Sequence, residues 1–236
     1  MALGLGIGIG IAPGGGGASG PPAPPTPLTD ATFNQAIADI LAQDPNGDYD
    51  LVPYGKIQDW DVSQVTDMQN TFDGYNFNGD IGNWDTSSVT NMARMFVGNG
   101  VFNQDINSWD VGNVTNMAIM FYQSGFNKSL NNWDVSNVTN MGFMFFECAF
   151  NGDISSWDVG SATSMLSMFS DSPFNKDISA WDTSGVISMQ DMFADTFDFN
   201  QDLSSWDVGN VTSCSGFSNG ANSWTLPKPN FTNCTP

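Results

Sequence analysis

The chain has 236 residues, 40% apolar and 13% aromatic, with Lys+Arg 5 against Asp+Glu 25, no His and a formal net charge of −20. Each phosphate contact needs a Lys or Arg, so this balance excludes DNA, RNA and an anionic membrane as partners and leaves cationic groups or metal ions as the complementary expectation. The absence of His excludes Ser-His and Cys-His nucleophile systems.

Residues 1–28 read as an anchor followed by a linker. Leu3, Leu5, Ile7, Ile9 and Ile11 alternate with small residues, and a Gly- and Pro-rich stretch follows from 13 to 27. As an extended strand, residues 1–12 put every apolar side chain on one face, which suits addition to another protein's sheet or packing among copies of itself. The run is too short to span a bilayer. As a secretion signal it lacks an early Lys or Arg, a clean small-x-small site and a lipobox cysteine.

Residues 29–53 read as an N-terminal cap. Phe33, Ala36, Ile37, Ile40 and Leu41 fall on one face of a helix that starts at Thr29 or Asp30. A stack of repeats exposes an apolar end that such a helix covers. The stretch 44–50, Asp-Pro-Asn-Gly-Asp-Tyr-Asp, spaces its oxygens like a calcium loop, but its Gly is misplaced for an EF-hand and a glutamate is missing, so it reads as a turn.

From 54 to 217 the chain repeats. Trp-Asp pairs begin at 60, 84, 109, 133, 157, 181 and 206, and a period of 24 or 25 repeated seven times marks a solenoid. The two longer intervals place one extra residue between Phe96 and Phe102 and between Phe193 and Phe199, which marks a loop at one corner. Within a copy, Ile81, Trp84 and Thr86 are spaced like the core positions of a leucine-rich repeat, so Trp-Asp-Val is expected to be a short strand with Asp outward. In Val89 to Phe96 the apolar residues recur at three and four, which predicts a helical turn capped by Thr90. Eleven of twelve Met fall in two columns, 68, 92, 117, 141, 165, 189 and 95, 120, 144, 168, 192, and read as core rather than as a soft-metal site. The Asn of each Phe-Asn pair (78, 103, 127, 151, 175, 200) predicts a buried ladder bonded to adjacent coils.

Residues 218–236 leave the period and read as a C-terminal cap, with Cys214 and Cys234 the candidates for a disulfide. Cys148, in the middle of a repeat, reads as a small core residue. No Cys-x-x-Cys is present, which argues against zinc.

The motif Trp-Asp-Val-Ser-x-Val-Thr-x-Met-x-x-Met-Phe with Phe-Asn-Gln-Asp-Ile is similar to that of the bacterial surface protein repeat family, relatives of the BspA-like leucine-rich repeats. Pro53-Tyr-Gly-Lys-Ile-Gln-Asp-Trp60 looks like that family's entry segment. The resemblance implies an α/β leucine-rich-repeat-like solenoid of about seven coils, with a short parallel sheet on one face, displayed on surfaces and associated with adhesion. It supplies no catalytic residues.

The expected function is therefore a non-enzymatic structural or adhesion module, held through its N-terminal peptide to a larger assembly. A phage virion surface is preferred, on the weak export signal, over an extracellular or bacterial cell-surface adhesin. A host-surface ligand is the expected quarry, and a polysaccharide-active enzyme is the remaining alternative. Asp61, Asp85, Asp110, Asp134, Asp158, Asp182 and Asp207 form a stripe that is either satisfied by its own turns or collects Ca²⁺ or another cation. An ice-binding surface built on Thr66, Thr90, Thr115, Thr139, Thr163 and Thr212 is a further reading, one that a cap role for the same Thr makes unnecessary. If the Asp stripe is architecture, the binding face moves to the loops at 73–76, 97–101, 122–125, 146–149, 170–173 and 194–198.

Overall fold

The computed structural model describes residues 26–43, 50–51 and 55–236. The anchor expected at 1–12 lies outside the described residues, as does the linker up to residue 25 and, apart from the backbone of Asp50, the turn at 44–50.

Helix α1 (Asp30–Gln43) buries Phe33, Ala36, Ile37, Ile40 and Leu41, the i, i+3, i+4, i+7, i+8 stripe of an amphipathic helix. Its first turn closes on itself, with Thr29 N–H donating to Thr32 Oγ1 at 2.9 Å and that hydroxyl donating back to the Thr29 carbonyl at 3.1 Å. Asp30 serves its neighbour instead of its own helix. Its carboxylate accepts Thr66 N–H (2.7 Å), Thr66 Oγ1–H (2.8 Å) and Asp67 N–H (3.2 Å), and although burial raises its pKa these bonds outweigh burial and hold it below the usual value. The helix thereby sits across the open end of the first repeat, where the Phe33 ring meets Trp84 edge to face at 5.6 Å. Strands β1 (Asp50–Leu51) and β2 (Gly55–Lys56) pair antiparallel, and a 3₁₀ turn over Ile57–Asp59 leads into the repeats.

Seven rungs follow, opening at Ile57, Ile81, Ile106, Leu130, Ile154, Ile178 and Leu203. They lie in register. Parallel bridges join Asp67 to Asn91, Asn116, Asn140, Ser164, Ser188 and Ser213 in turn. The seven Trp rings from Trp60 to Trp206 stack with centroids 6.2–6.4 Å apart and planes within 9° of parallel. Both Met columns are fully buried, and Phe pairs such as Phe145–Phe150 (3.9 Å) and Phe145–Phe169 (5.8 Å) stack within and between rungs. Six of these indoles also spend their N–H on the preceding rung. Trp84, Trp109, Trp133, Trp157, Trp181 and Trp206 donate at 2.8–3.3 Å to the carbonyl of Ile57, Ile81, Ile106, Leu130, Ile154 and Ile178. Among the described residues no buried side-chain N or O lacks a partner.

Three local expectations are corrected. Trp-Asp-Val points its side chains as expected, but it is not a strand and the parallel bridges lie further along each rung. Tight turns closed by Trp84 N–H to Ile81 O and Val89 N–H to Thr86 O flank it, so its peptides do not form a ladder and side chains such as Thr86 Oγ1, which donates to Asp110 O at 2.8 Å, join the rungs there. The Met segment is not helical either. In rung 2, the N–H groups of Met92, Arg94, Phe96 and Gly98 donate to carbonyls of rung 3 (Asn116, Ala118, Met120, Tyr122), while overlapping turns close within the rung from Met95 to Met92 and from Val97 to Arg94. Thr90 consequently caps nothing; its N–H and hydroxyl both reach back to the Thr66 carbonyl. The third correction concerns the Asn ladder, which joins rungs but is not buried, with Asn78, Asn103 and Asn127 exposed and Asn151, Asn175 and Asn200 half-buried.

The sideways ladder of the Met segment requires alternate backbone conformations. Asn70, Arg94, Ile119, Phe143, Ser167 and Asp191 occupy one column at φ between 50 and 64°, as does Gly216 at 69° in the last rung. For Ile119 this left-handed conformation costs roughly 1–2 kcal/mol.

At the far end Trp224 donates its indole N–H to Gln201 O and packs edge-on against Phe193 and Phe199. Cys214 and Cys234 are bonded to each other, tying the last rung to the terminal segment.

Candidate binding face

The repeated polar side chains are each used by the scaffold. Asp61, Asp85, Asp110, Asp134, Asp158, Asp182 and Asp207 stand in one column, and the Oδ1 of each accepts the backbone N–H two residues on, at 2.9–3.1 Å. This is an Asx turn, repeated in every rung. Ser87 adds its hydroxyl to Asp85 at 2.6 Å, and that hydroxyl, followed by the Ser87 amide, holds the Asp85 carboxyl below its ordinary value. The Ser136 side chain and amide do the same for Asp134.

A second acidic column, Asp80, Asp105, Asp153, Asp177 and Asp202, is turned on itself in the same way. The Asn column reaches between rungs, each Oδ1 from Asn78 to Asn175 accepting the N–H of the next Asn at 2.8–3.0 Å. The Thr column does likewise through its hydroxyls, as Thr139 Oγ1 donates to Thr115 O. Among the described residues no three His, Cys, Asp or Glu side chains gather in a way that would hold a metal ion.

Three neighbouring columns of the Met segment vary instead. Counting from the first Met of each rung, the second, fifth and sixth positions change chemistry from copy to copy: Arg94, Val97 and Gly98; then Ile119, Tyr122 and Gln123; then Phe143, Phe146 and Glu147; then Ser167, Ser170 and Asp171; then Asp191, Ala194 and Asp195. The sixth position is held in column by the backbone ladder, through Gln123 N–H to Phe146 O, Glu147 N–H to Ser170 O and Asp171 N–H to Ala194 O.

In the middle of this face Ile119, Tyr122, Phe143 and Phe146 are only half-buried and, with Arg94, line a shallow groove of about 230 Å³. Tyr122 and Phe146 stack face to face at 5.2 Å, so each ring covers one face of the other. Arg94 is committed to Asp73 at 2.7 Å. Two rungs on, Asp171, Asp195 and Asp198 line a second groove of about 200 Å³ together with Pro173 and Phe197, a ring that is 56% exposed. The Asp171 carboxyl lies above its ordinary value, first through burial and then through the charges of Asp195 and Glu147.

Tyr122, Phe146, Asp171 and Asp195 lie in the loops that the sequence offered as the alternative binding face, whereas Ile119 and Phe143 were not singled out, because at helical spacing they look like core. The available signal was their position: in a repeat, a column that changes from copy to copy is free of the scaffold's demands. Cys148 is the opposite case, buried against the Phe126 carbonyl with burial pushing its thiol up to about 12, so it is inert at neutral pH.

Among the described residues no helix is long and apolar enough to cross a membrane. No curated protein and no solved structure matches the chain. A family model does, over residues 49–149 and again over the overlapping stretch 123–231, and the chain accordingly belongs to the family described as Mycoplasma protein of unknown function, DUF285.

Proposed function

We propose that the chain is a non-enzymatic display and adhesion module: a leucine-rich-repeat-like solenoid, related to the BspA-like repeats, carried on a larger assembly by residues 1–12. One observation carries the reading. The Asp, Asn, Trp, Met and Phe columns that the repeats hold constant are spent on the scaffold, while three neighbouring columns vary in chemistry and come to the surface at Ile119, Tyr122, Phe143, Phe146, Asp171 and Asp195, as on other repeat proteins that bind along the stack. A polysaccharide-cleaving enzyme needs two carboxylates in different environments, whereas the Asp61 to Asp207 column offers the same Asx turn seven times.

The Cys214–Cys234 bond favours an oxidising compartment, and with it a place outside the cytosol. The carrier put first is a virion. A bacterial cell surface is the second reading, favoured by membership of a family described from Mycoplasma. Deleting residues 1–20 tests the attachment. The truncated chain is expected to fold and to remain monomeric but to be missing from the purified particle or surface fraction; undiminished incorporation refutes the anchor. Gels of purified particles and of envelope fractions separate the two carriers.

A further inference from the structure

The varying face has a graded chemistry that specifies more than adhesion in general. Its centre is an apolar groove lined by Ile119, Tyr122, Phe143 and Phe146. The one cation lining that groove, Arg94, is neutralised by Asp73. Along the stack the same columns turn acidic, from Glu147 through Asp171 to Asp195, and end in the second groove, where carboxylates stand beside the exposed Phe197 ring. Glu147 accepts the Gln123 amide at 2.7 Å, whereas Asp171 and Asp195 face one another across adjacent rungs with like charge.

The nature of the occupant follows by elimination. A second copy of a chain with net charge −20 meets its own repulsion at this acidic patch. Nucleic acid and anionic lipid are repelled for the same reason. A neutral sugar can stack on an aromatic ring, but it brings no positive charge to the facing carboxylates of Asp171 and Asp195. An apolar group followed by a cation satisfies both grooves. Two rungs at ~4.8 Å each separate them by about 10 Å, which is about three residues of extended polypeptide.

We propose that this face is the docking surface for an extended, basic-apolar polypeptide segment, with an aliphatic or aromatic side chain in the Ile119–Phe146 groove and a Lys or Arg about three residues away at Asp171 and Asp195. The proposal rests on the display reading above, and it names the ligand class for that display.

The probe is a synthetic peptide of two leucines, two serines and two lysines in that order, titrated into the full chain by calorimetry at low and high NaCl. It is expected to bind, and to bind more weakly as salt rises. Asp171→Asn with Asp195→Asn is expected to weaken it about tenfold, and Phe146→Ala about as much, with melting curves checked for each variant. Asp171→Lys with Asp195→Lys is expected to transfer preference to the counterpart peptide in which glutamates replace the lysines, which keeps the test sharp even if Phe146→Ala is poorly folded. The proposal is overturned by no binding of the lysine peptide, by equal binding of the glutamate peptide to the native chain, or by affinity that survives both the Asn and the Ala variants. Equal binding of a serine-lysine peptide without leucines, or a dimer of the chain that Phe146→Ala dissolves, overturns it too. None of these measurements involves residues 1–12, so a failed peptide titration leaves the attachment test intact, and a failed attachment test leaves the titration intact.

Discussion

Replacing Trp133 with Phe removes one hydrogen bond and part of one ring from the middle of the tryptophan column. Trp133 is 3% exposed, and its ring lies 6.4 Å from those of Trp109 and Trp157. Its Nε1–H donates to the Ile106 carbonyl at 2.9 Å. A phenyl ring keeps most of the stacking but has no donor, so that carbonyl keeps only the Trp109 N–H, and the lost bond costs about 0.5–1.5 kcal/mol. The lost ring volume adds about 1–2 kcal/mol in packing and cavity terms. The sum, roughly 1.5–3.5 kcal/mol, is a large share of what a domain has to lose. The comparison is Phe145→Leu, which is equally enclosed and gives up volume without a hydrogen bond, at about 1–2 kcal/mol. Equilibrium urea unfolding followed by far-ultraviolet circular dichroism reads both, and the difference between the variants isolates the indole bond. A central lesion also weakens two interfaces at once, so a broadened or divided transition is expected for Trp133→Phe. If Trp133→Phe costs no more than Phe145→Leu, the indole-to-carbonyl bonds do not hold the rungs in register, and that part of the account is wrong.

Reducing the Cys214–Cys234 bond, which closes a loop with sequence separation 20, is expected to cost about 3 kcal/mol, and thermal melts with and without a thiol reductant measure it; an unchanged melt refutes the closure. Ile119→Asn relieves a β-branched residue of its φ of 64° and is expected to stabilise by about 0.5–1 kcal/mol in urea titration, whereas a loss of that size would show that Ile119 contributes more by packing than it costs in strain. Asp85 and Asp134 have folded-state pKa values below their unfolded ones, so their contribution is present above the unfolded value of about 3.9 and is lost as pH falls through the folded values. Acid unfolding of the Asp85→Asn, Asp134→Asn chain should therefore show a shallower dependence on pH below about 4. Asp171 is shifted the other way, so Asp171→Asn should be neutral or stabilising near pH 7 and of little effect in acid, and an equal acid response from both substitutions would refute the assignment.

Large, unambiguous side chains made much of the core legible in the sequence. Trp, Met and Phe recurring at a period of 24 or 25 fixed which residues face inward, and the buried set of α1 is the one its spacing predicts. The path of the backbone between those residues was not legible. Ile119 and Phe143 are types that ordinarily exclude positive φ, so a stretch alternating in backbone handedness looks like a helix when only its apolar spacing is counted. The Asx turns at Asp61 to Asp207 were readable as one of two alternatives, because Asp with a Ser or Gly two residues on is turn chemistry. The indole bonds were hidden because Trp in a core column is accounted for by its area alone. The candidate face was only half legible: Tyr122, Phe146, Asp171 and Asp195 fall in the loops named as the alternative binding face, whereas Ile119 and Phe143, at helical spacing, read as core.

The ladder of the Met segment runs one way. In the Met segment of rung 2 the N–H groups of Met92, Arg94, Phe96 and Gly98 point toward rung 3, and the carbonyls that accept from rung 1, at Asn91, Ala93, Met95 and Val97, point back. Each rung therefore presents a row of donors on one side and a row of acceptors on the other, and any two rungs are interchangeable at the joint. A gene segment encoding one whole period can be duplicated or lost by unequal recombination and still leave every donor facing an acceptor, whereas a gain or loss of half a period cannot. Reach is thus a heritable variable separable from fold, and a lineage carrying this chain can lengthen its varying face one rung at a time without redesigning either cap.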